Sequence, residues 1–162
     1  MAKPQAMLAL AAALIVSGQG IAAQDPAEVY RWMFVPPDAD MKDARLFFGL
    51  PDSDALDMIL KCRKGARTIP VTFNLADEAV RQVRIASAGA QTTIRVKPHL
   101  NEMDGGYSLT GQIPSASPAL AGLLRSGLLT TWYGEQKTDW TGTTPGEKRA
   151  LANFATACGI RL

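Results

Sequence analysis

The sequence predicts an α+β domain: a mostly antiparallel β core, one short internal helix, and a C-terminal helix packed on the sheet and joined to it by a strand-to-helix disulfide. Three observations carry this. Short aromatic and β-branched runs, several of them alternating, recur between turns that bear proline or glycine. Two segments, after Ser117-Pro118 and after Thr144-Pro145, combine helix-start signals with a helical apolar period. The two cysteines fall one on each kind of element, Cys62 in an alternating run and Cys158 on the second helical stripe.

The chain opens with a segment that is none of these. Lys3 precedes an uncharged apolar run from Ala6 to Val16, followed by Ser17-Gly18-Gln19-Gly20 and then Ile21-Ala22-Ala23. A positive start, an apolar centre and small residues at the end are the three parts of a secretory signal peptide. The apolar run is too short to cross a hydrocarbon core, which needs about 20 residues. Residues 1–23 are therefore expected to be removed after Ala23, or after Ala22, leaving no stable transmembrane segment. Residues 24–162 are expected to form a single globular domain, of a size that buries a core without dense disulfides.

Within that domain, YRWMFV (30–35) and RLFFGL (45–50) are short runs bounded by Pro36-Pro37 and Pro51. From Asp57 to Arg63 the chain alternates, with Met58, Leu60 and Cys62 on one face and Ile59, Lys61 and Arg63 on the other. Ile69, Val71, Phe73 and Leu75 line one face of the next run, with Pro70 opposite. A proline there indicates an edge strand or a strand beginning. Val83 and Ile85, then Ile94 and Val96, read as a hairpin around Ala88-Gly89-Ala90. A long polar connection from Pro98 to Gly106 is expected before the strand YSLTGQI (107–113). Ser117 at the N-cap, Pro118 at the first helical position, Leu120, Leu123 and Leu124 on one face and Gly127 as the stop make the internal helix. LLTTWY and TDWTG form a second hairpin.

The last element is the most strongly specified. Thr144-Pro145-Gly146-Glu147 is a capping box with proline where its missing N–H costs nothing. Leu151, Phe154, Ala155 and Cys158 then follow at i, i+3, i+4 and i+7, one helix face. Both thiols thus point inward in a chain expected to enter an oxidising compartment, where paired cysteines form disulfides. A Cys62–Cys158 bond is the expectation. Two cysteines without CxxC partners, and a single histidine, do not make a zinc site. A catalytic thiol would need exposure and a base.

The segment RLFFGLPDSDALDMILKC resembles the Phe/Tyr-Gly-x-Pro, Asp, strand-Cys segment of small exported proteins of Gram-negative bacteria, and ANFATACG is similar to the helix ending in Ala-Cys that closes them. The resemblance covers roughly residues 30–75 and 145–159. It implies a periplasmic protein with a strand-to-helix disulfide, and it implies no activity or site.

Motifs for chemistry are sparse. No GxxxxGK, GxSxG or GxGxxG is present. His99, the only histidine, stands near Glu102 and Asp104 in what reads as a solvated loop. Asp38, Asp40 and Asp43 lack the glycine and distal glutamate of a calcium loop, and Asp52, Asp54 and Asp57 read as turn formers. No metal, no cofactor and no catalytic residue is assigned. Trp132, Tyr133 and Trp140 sit on the two arms of the second hairpin, as core or as an exposed stacking platform. Alternation requires at least one ring to face inward.

Charge is distributed unevenly. Residues 1–60 carry four basic residues against eight acids, and residues 61–97 carry eight basic residues against Asp77 and Glu78. If the strands are neighbours, Lys61, Arg63, Arg84, Arg95 and Lys97 project from one sheet face opposite the apolar positions, with Lys64, Arg67 and Arg81 at its rim. A field of that sign attracts an anionic envelope component or an acidic protein. Nucleic acid is not an expected partner of an exported protein. The function expected is a non-enzymatic binding, accessory or inhibitor-like module of the envelope. The alternative is a small periplasmic hydrolase working through carboxylates and His99.

Overall fold

The computed structural model describes residues 29–76, 78–102 and 105–162. The expected signal peptide, Asp77 and Asp104 lie outside the described residues, as does the side chain of Leu75. Nine strands and two helices follow in order: β1 (Arg31–Val35), β2 (Ala44–Gly49), β3 (Leu56–Cys62), β4 (Thr68–Ala76), β5 (Gln82–Ser87), β6 (Ala90–Leu100), β7 (Tyr107–Pro114), α1 (Pro118–Ser126), β8 (Leu128–Tyr133), β9 (Gln136–Thr141) and α2 (Pro145–Cys158). The strands join in the order β1-β2-β3-β4-β7-β6-β5-β8-β9, every pairing antiparallel. No helix among the described residues is long and apolar enough to cross a membrane.

One long strand turns the sheet. The first part of β6, Ala90 to Arg95, pairs with β5, and the second, Val96 to Leu100, pairs with β7. The sheet bends there, and its far ends come back toward each other. Phe48 of β2 stands edge-on to Trp140 of β9 at 5.3 Å, and Phe73 of β4 meets Tyr133 of β8 at 5.6 Å. The result is a nearly closed barrel, a more specific architecture than the α+β sheet-plus-helix that the sequence predicts. The difference has a plain cause. Alternation reports which face of each strand is apolar, but not that the apolar faces of β2, β4, β8 and β9 converge on one another.

Helix α2 packs on edge strand β1, its neighbour β2 and helix α1. Its capping box is formed: the Thr144 N–H donates to the Glu147 carboxylate (3.0 Å) and the Glu147 N–H to the Thr144 hydroxyl (3.3 Å). The same carboxylate accepts the Trp32 N–H of edge strand β1 at 3.2 Å. Gly142, just past β9, lies directly against the Trp32 ring, so that any Cβ there would collide with it. The closure of the barrel is thus concentrated on Trp32, Gly142 and Glu147.

Helix α1 buries Ala119, Leu120, Gly122, Leu123 and Leu124, is capped by Ser117, and ends at Gly127 in the left-handed conformation. The hairpin β5–β6 closes through Ala88 and Gly89, both at positive φ, the type I′ geometry whose twist matches the strands.

The disulfide joins the last residue of β3 to the last residue of α2: Cys62 and Cys158 are bonded, with Cα atoms 5.7 Å apart and both side chains buried. The Gly65 N–H, in the loop after β3, also donates to the Cys158 carbonyl at 3.0 Å.

One local expectation is corrected, and for Pro70 the strand-beginning alternative holds rather than the edge. The polar connection after the first hairpin is shorter than read: β6 continues through Pro98 and His99 to Leu100, in register with Leu109, Ser108 and Tyr107. That end of the ladder carries no deeply buried residue on β6, so its strand character left no apolar alternation to read. Strand β4 is interior, between β3 and β7, although it contains Pro70. The β3–β4 ladder runs only from Leu60–Val71 to Met58–Phe73, so Pro70 lies in the opening stretch of β4 that β7 alone pairs.

Candidate functional site

The strand register arranges the outer face of β3, β4, β7 and β6 as three rows. Ile59, Thr72, Thr110 and Lys97 are directly opposite one another across the four strands. One row on, Pro70 pairs with Gln112, and antiparallel continuation sets Lys61 beside Pro70 and Arg95 beside Gln112. In the other direction Ser108 pairs with His99, and its hydroxyl donates to the Asn74 side chain at 2.7 Å. Short uncharged side chains therefore floor a trough between longer ones on β3 and β6.

Two recesses lie along this trough. The first, of about 520 Å³, is lined by Pro70, Arg95, Val96, Lys97, Thr110, Gly111 and Gln112, with no carboxylate among the described residues. The second, of about 670 Å³, holds Asp54, Asp57, Asn74, His99 and Ser108 among its lining, and no lysine or arginine among the described residues. His99 Nε2 lies 3.1 Å from the Thr110 hydroxyl, which joins the two.

Asp57 is brought to the second recess by a β-bulge. Phe48 pairs with Met58 and Gly49 with Leu56, so Asp57 has no partner in β2. Partial burial raises its carboxyl above the ordinary carboxylate range, because desolvation disfavours the charged form. No lysine or arginine pairs with it among the described residues. The Asn74 amide is fixed by donating to the Leu56 carbonyl at 2.6 Å.

The five basic residues singled out in the sequence are only partly gathered. Arg95 and Lys97 are exposed on β6, but β4 and β7 stand between them and Lys61 on β3, about 14 Å away at ~4.8 Å per strand. Arg63 follows the end of β3 and is engaged by Asp43 at 2.6 Å. Arg84, on β5, lays its guanidinium 4.1 Å over the Trp132 ring, a cation–π contact. The basic segment thus forms two rails with a neutral floor rather than one patch.

The aromatic trio divides. Tyr133 and Trp140 are buried, and Trp132 is half-buried beneath Arg84. The Trp140 indole N–H donates to the Thr131 hydroxyl, and that hydroxyl donates to the Tyr133 phenol, each at 2.9 Å. Burial pushes the Tyr133 phenol well above the ordinary tyrosine range. Two of the three rings are core, held by a buried polar chain.

His99 is on a strand rather than in a loop, and Glu102 is exposed in the turn beyond it. Its neighbours across the strands are Ser108 and Thr110, and the Ser108 hydroxyl is committed to Asn74. Among the described residues, no group of three or more His, Cys, Asp or Glu side chains is placed to hold a metal ion. Asn74, Ser108 and Gln112 were not singled out in the sequence. The available signal was weak: each is the polar member of an alternating pair. Asp57, read as a turn former, is instead a strand residue that the bulge leaves without a partner in β2.

No protein family, no curated protein and no solved structure matches this chain.

Proposed function

We propose that the protein is an exported, non-enzymatic binding module of the cell envelope that takes an anionic component on the outer face of β6, β7 and β4. The single observation that carries this reading is the first recess. Arg95 and Lys97 flank a floor of Thr110 and Gln112, both able to hydrogen-bond an anion, and no carboxylate lines it. Neither cation is drawn into an ion pair with another described residue. Export is supported by the leader-like segment at residues 1–23 and by the disulfide, whose bond persists in oxidising compartments. The resemblance to small periplasmic proteins points the same way.

The test is binding of the mature protein to polyglutamate at rising salt. Affinity should fall steeply as ionic strength passes ~0.15 M, where screening shortens the reach of the field to about 8 Å. Arg95→Glu with Lys97→Glu should abolish binding while the far-ultraviolet circular dichroism stays unchanged. Salt-insensitive binding, or no binding at low salt, would defeat the reading.

A further inference from the structure

We infer that the trough takes an extended peptide segment of mixed charge, with its carboxylate at Arg95 in the first recess and an ammonium group about 13 Å further along, level with His99, in the recess that also holds Asp54 and Asp57. The inference rests on the anion-binding reading of the first recess and adds the second to it. The spacing follows from the register: four residues of β6 separate Arg95 from His99, at ~3.3 Å each. Among the described residues the two recesses have opposite character, one with two cations and no acid, the other with two carboxylates and no lysine or arginine. They share one floor, joined at the His99–Thr110 contact.

That polarity discriminates among anionic partners. A uniformly acidic polymer laid along the trough would set one of its charges against Asp54 and Asp57. A flat bilayer would meet the long rail residues and leave the recessed floor of Thr72, Ser108, Thr110 and Gln112 untouched. A peptide spans ~13 Å in four extended residues, brings both charge signs, and offers amide groups to those hydroxyls and amides. Asp57, partly desolvated and without a cationic partner among the described residues, gains one.

The probes are blocked five-residue peptides at low ionic strength: one with lysine and glutamate separated by three alanines, one with glutamine replacing the lysine, one with two glutamates. The mixed peptide should bind about tenfold more tightly than the glutamine peptide, and the two-glutamate peptide more weakly than either. Asp57→Asn should erase the tenfold advantage and leave the glutamine peptide unaffected. Asp54→Asn, on an exposed turn residue, serves if that variant fails to fold. Equal or tighter binding of the two-glutamate peptide would overturn the inference while sparing the anion site. Binding of polyglutamate or phosphatidylglycerol vesicles through Arg95 and Lys97, with none of the peptides bound, would overturn it too. If nothing anionic binds, both readings fall.

Discussion

On the inner face of β3, β4, β7 and β6 stand Met58, Leu60, Ile69, Val71, Phe73, Ile94, Val96, Leu109 and Ile113, all buried. On the outer face of the same strands stand Ile59, Lys61, Pro70, Thr72, Asn74, Arg95, Lys97, His99, Ser108, Thr110 and Gln112. Backbone and register are shared, so the difference lies in side chains alone. The inner set is uniform: each member removes apolar surface from water, worth about 1.5–3 kcal/mol for a fully buried large side chain. The outer set is heterogeneous: its neutral polar members Asn74, His99, Ser108, Thr110 and Gln112 hydrogen-bond, while Lys61, Arg95 and Lys97 join no ion pair among the described residues. Core requirements dictate the first and explain little of the second. The comparison predicts that inner-face changes cost stability, and that outer-face changes cost binding at nearly constant stability.

The largest expected effect tests what fastens this sheet to α2. Replacing both Cys62 and Cys158 by serine opens a loop spanning a sequence separation of 96, and the chain-entropy model gives roughly 4–5 kcal/mol for a loop of that size. Denaturant titration of the double variant should show a midpoint lowered accordingly, with m somewhat raised because the unlinked unfolded chain exposes more surface. A loss below ~1 kcal/mol would mean that the Gly65–Cys158 hydrogen bond and the buried face of α2 suffice without the bond. Next comes Phe73→Ala on the inner face. Phe73 is fully buried against Tyr133, and truncating such a ring costs about 3–5 kcal/mol. Thermal unfolding should register it, and a loss of under 1 kcal/mol would show that the interior is not sealed at this layer.

How far the sequence anticipates this structure follows the same division. Period-2 alternation at Met58, Leu60 and Cys62, and at Val83 and Ile85, located strands and their inner faces, because burial forces that pattern. Capping chemistry located both helices, because unsatisfied N–H groups demand Ser117 and Thr144 where they stand. The pairing of Cys62 with Cys158 was legible for the same reason, since both thiols had to lie inside. Barrel curvature was not legible: it arises where β6 exchanges partners at Arg95 and Val96, which leaves no local mark. The trough was not legible either. It requires β3 and β6 to be held apart by β4 and β7, a matter of strand order that the sequence never states. His99 was misread as a loop residue because the outer end of β6 has no buried counterpart to enforce alternation.

A smaller effect probes a polar exception inside the core. Thr131→Val keeps shape but leaves the Trp140 indole N–H and the Tyr133 phenol without their shared partner, at about 1–3 kcal/mol for an orphaned buried group. Threonine deletion to alanine would add a cavity, so valine is the cleaner variant. A loss indistinguishable from zero would show that water or relaxation supplies the missing bonds.

Asp57 sits where the two faces meet at the bulge, and its response carries a sign. Burial raises its folded pKa above the unfolded value, so the native state binds that proton more readily. Stability contributed by this group is therefore greatest in acid and falls as pH rises between the unfolded and folded pKa values, becoming flat above. Asp57→Asn should remove that slope and leave the protein slightly more stable than wild type at neutral pH. A difference spectrum of unfolding midpoints between pH 3 and 8 would read it. Greater stability of the wild type at neutral pH would mean that the carboxylate has a native partner.

The smallest expected change in stability is the one that separates the faces most sharply. Arg95 and Lys97 are exposed and lie outside every ion pair among the described residues, so Arg95→Glu and Lys97→Glu should each move stability by no more than about 0.5 kcal/mol. Either single reversal also replaces a like-charge pair at i and i+2 by an opposite-charge pair, so a slight gain in stability would fit the single variants. Binding should behave differently. The same pair of substitutions converts the cationic recess of Arg95 and Lys97 into an anionic one, and polyglutamate should be lost entirely rather than weakened in proportion. Loss of stability by 2 kcal/mol or more would show that these residues serve the fold after all, and the division between an inner face that holds the barrel and an outer face free to bind would fail at its most exposed point.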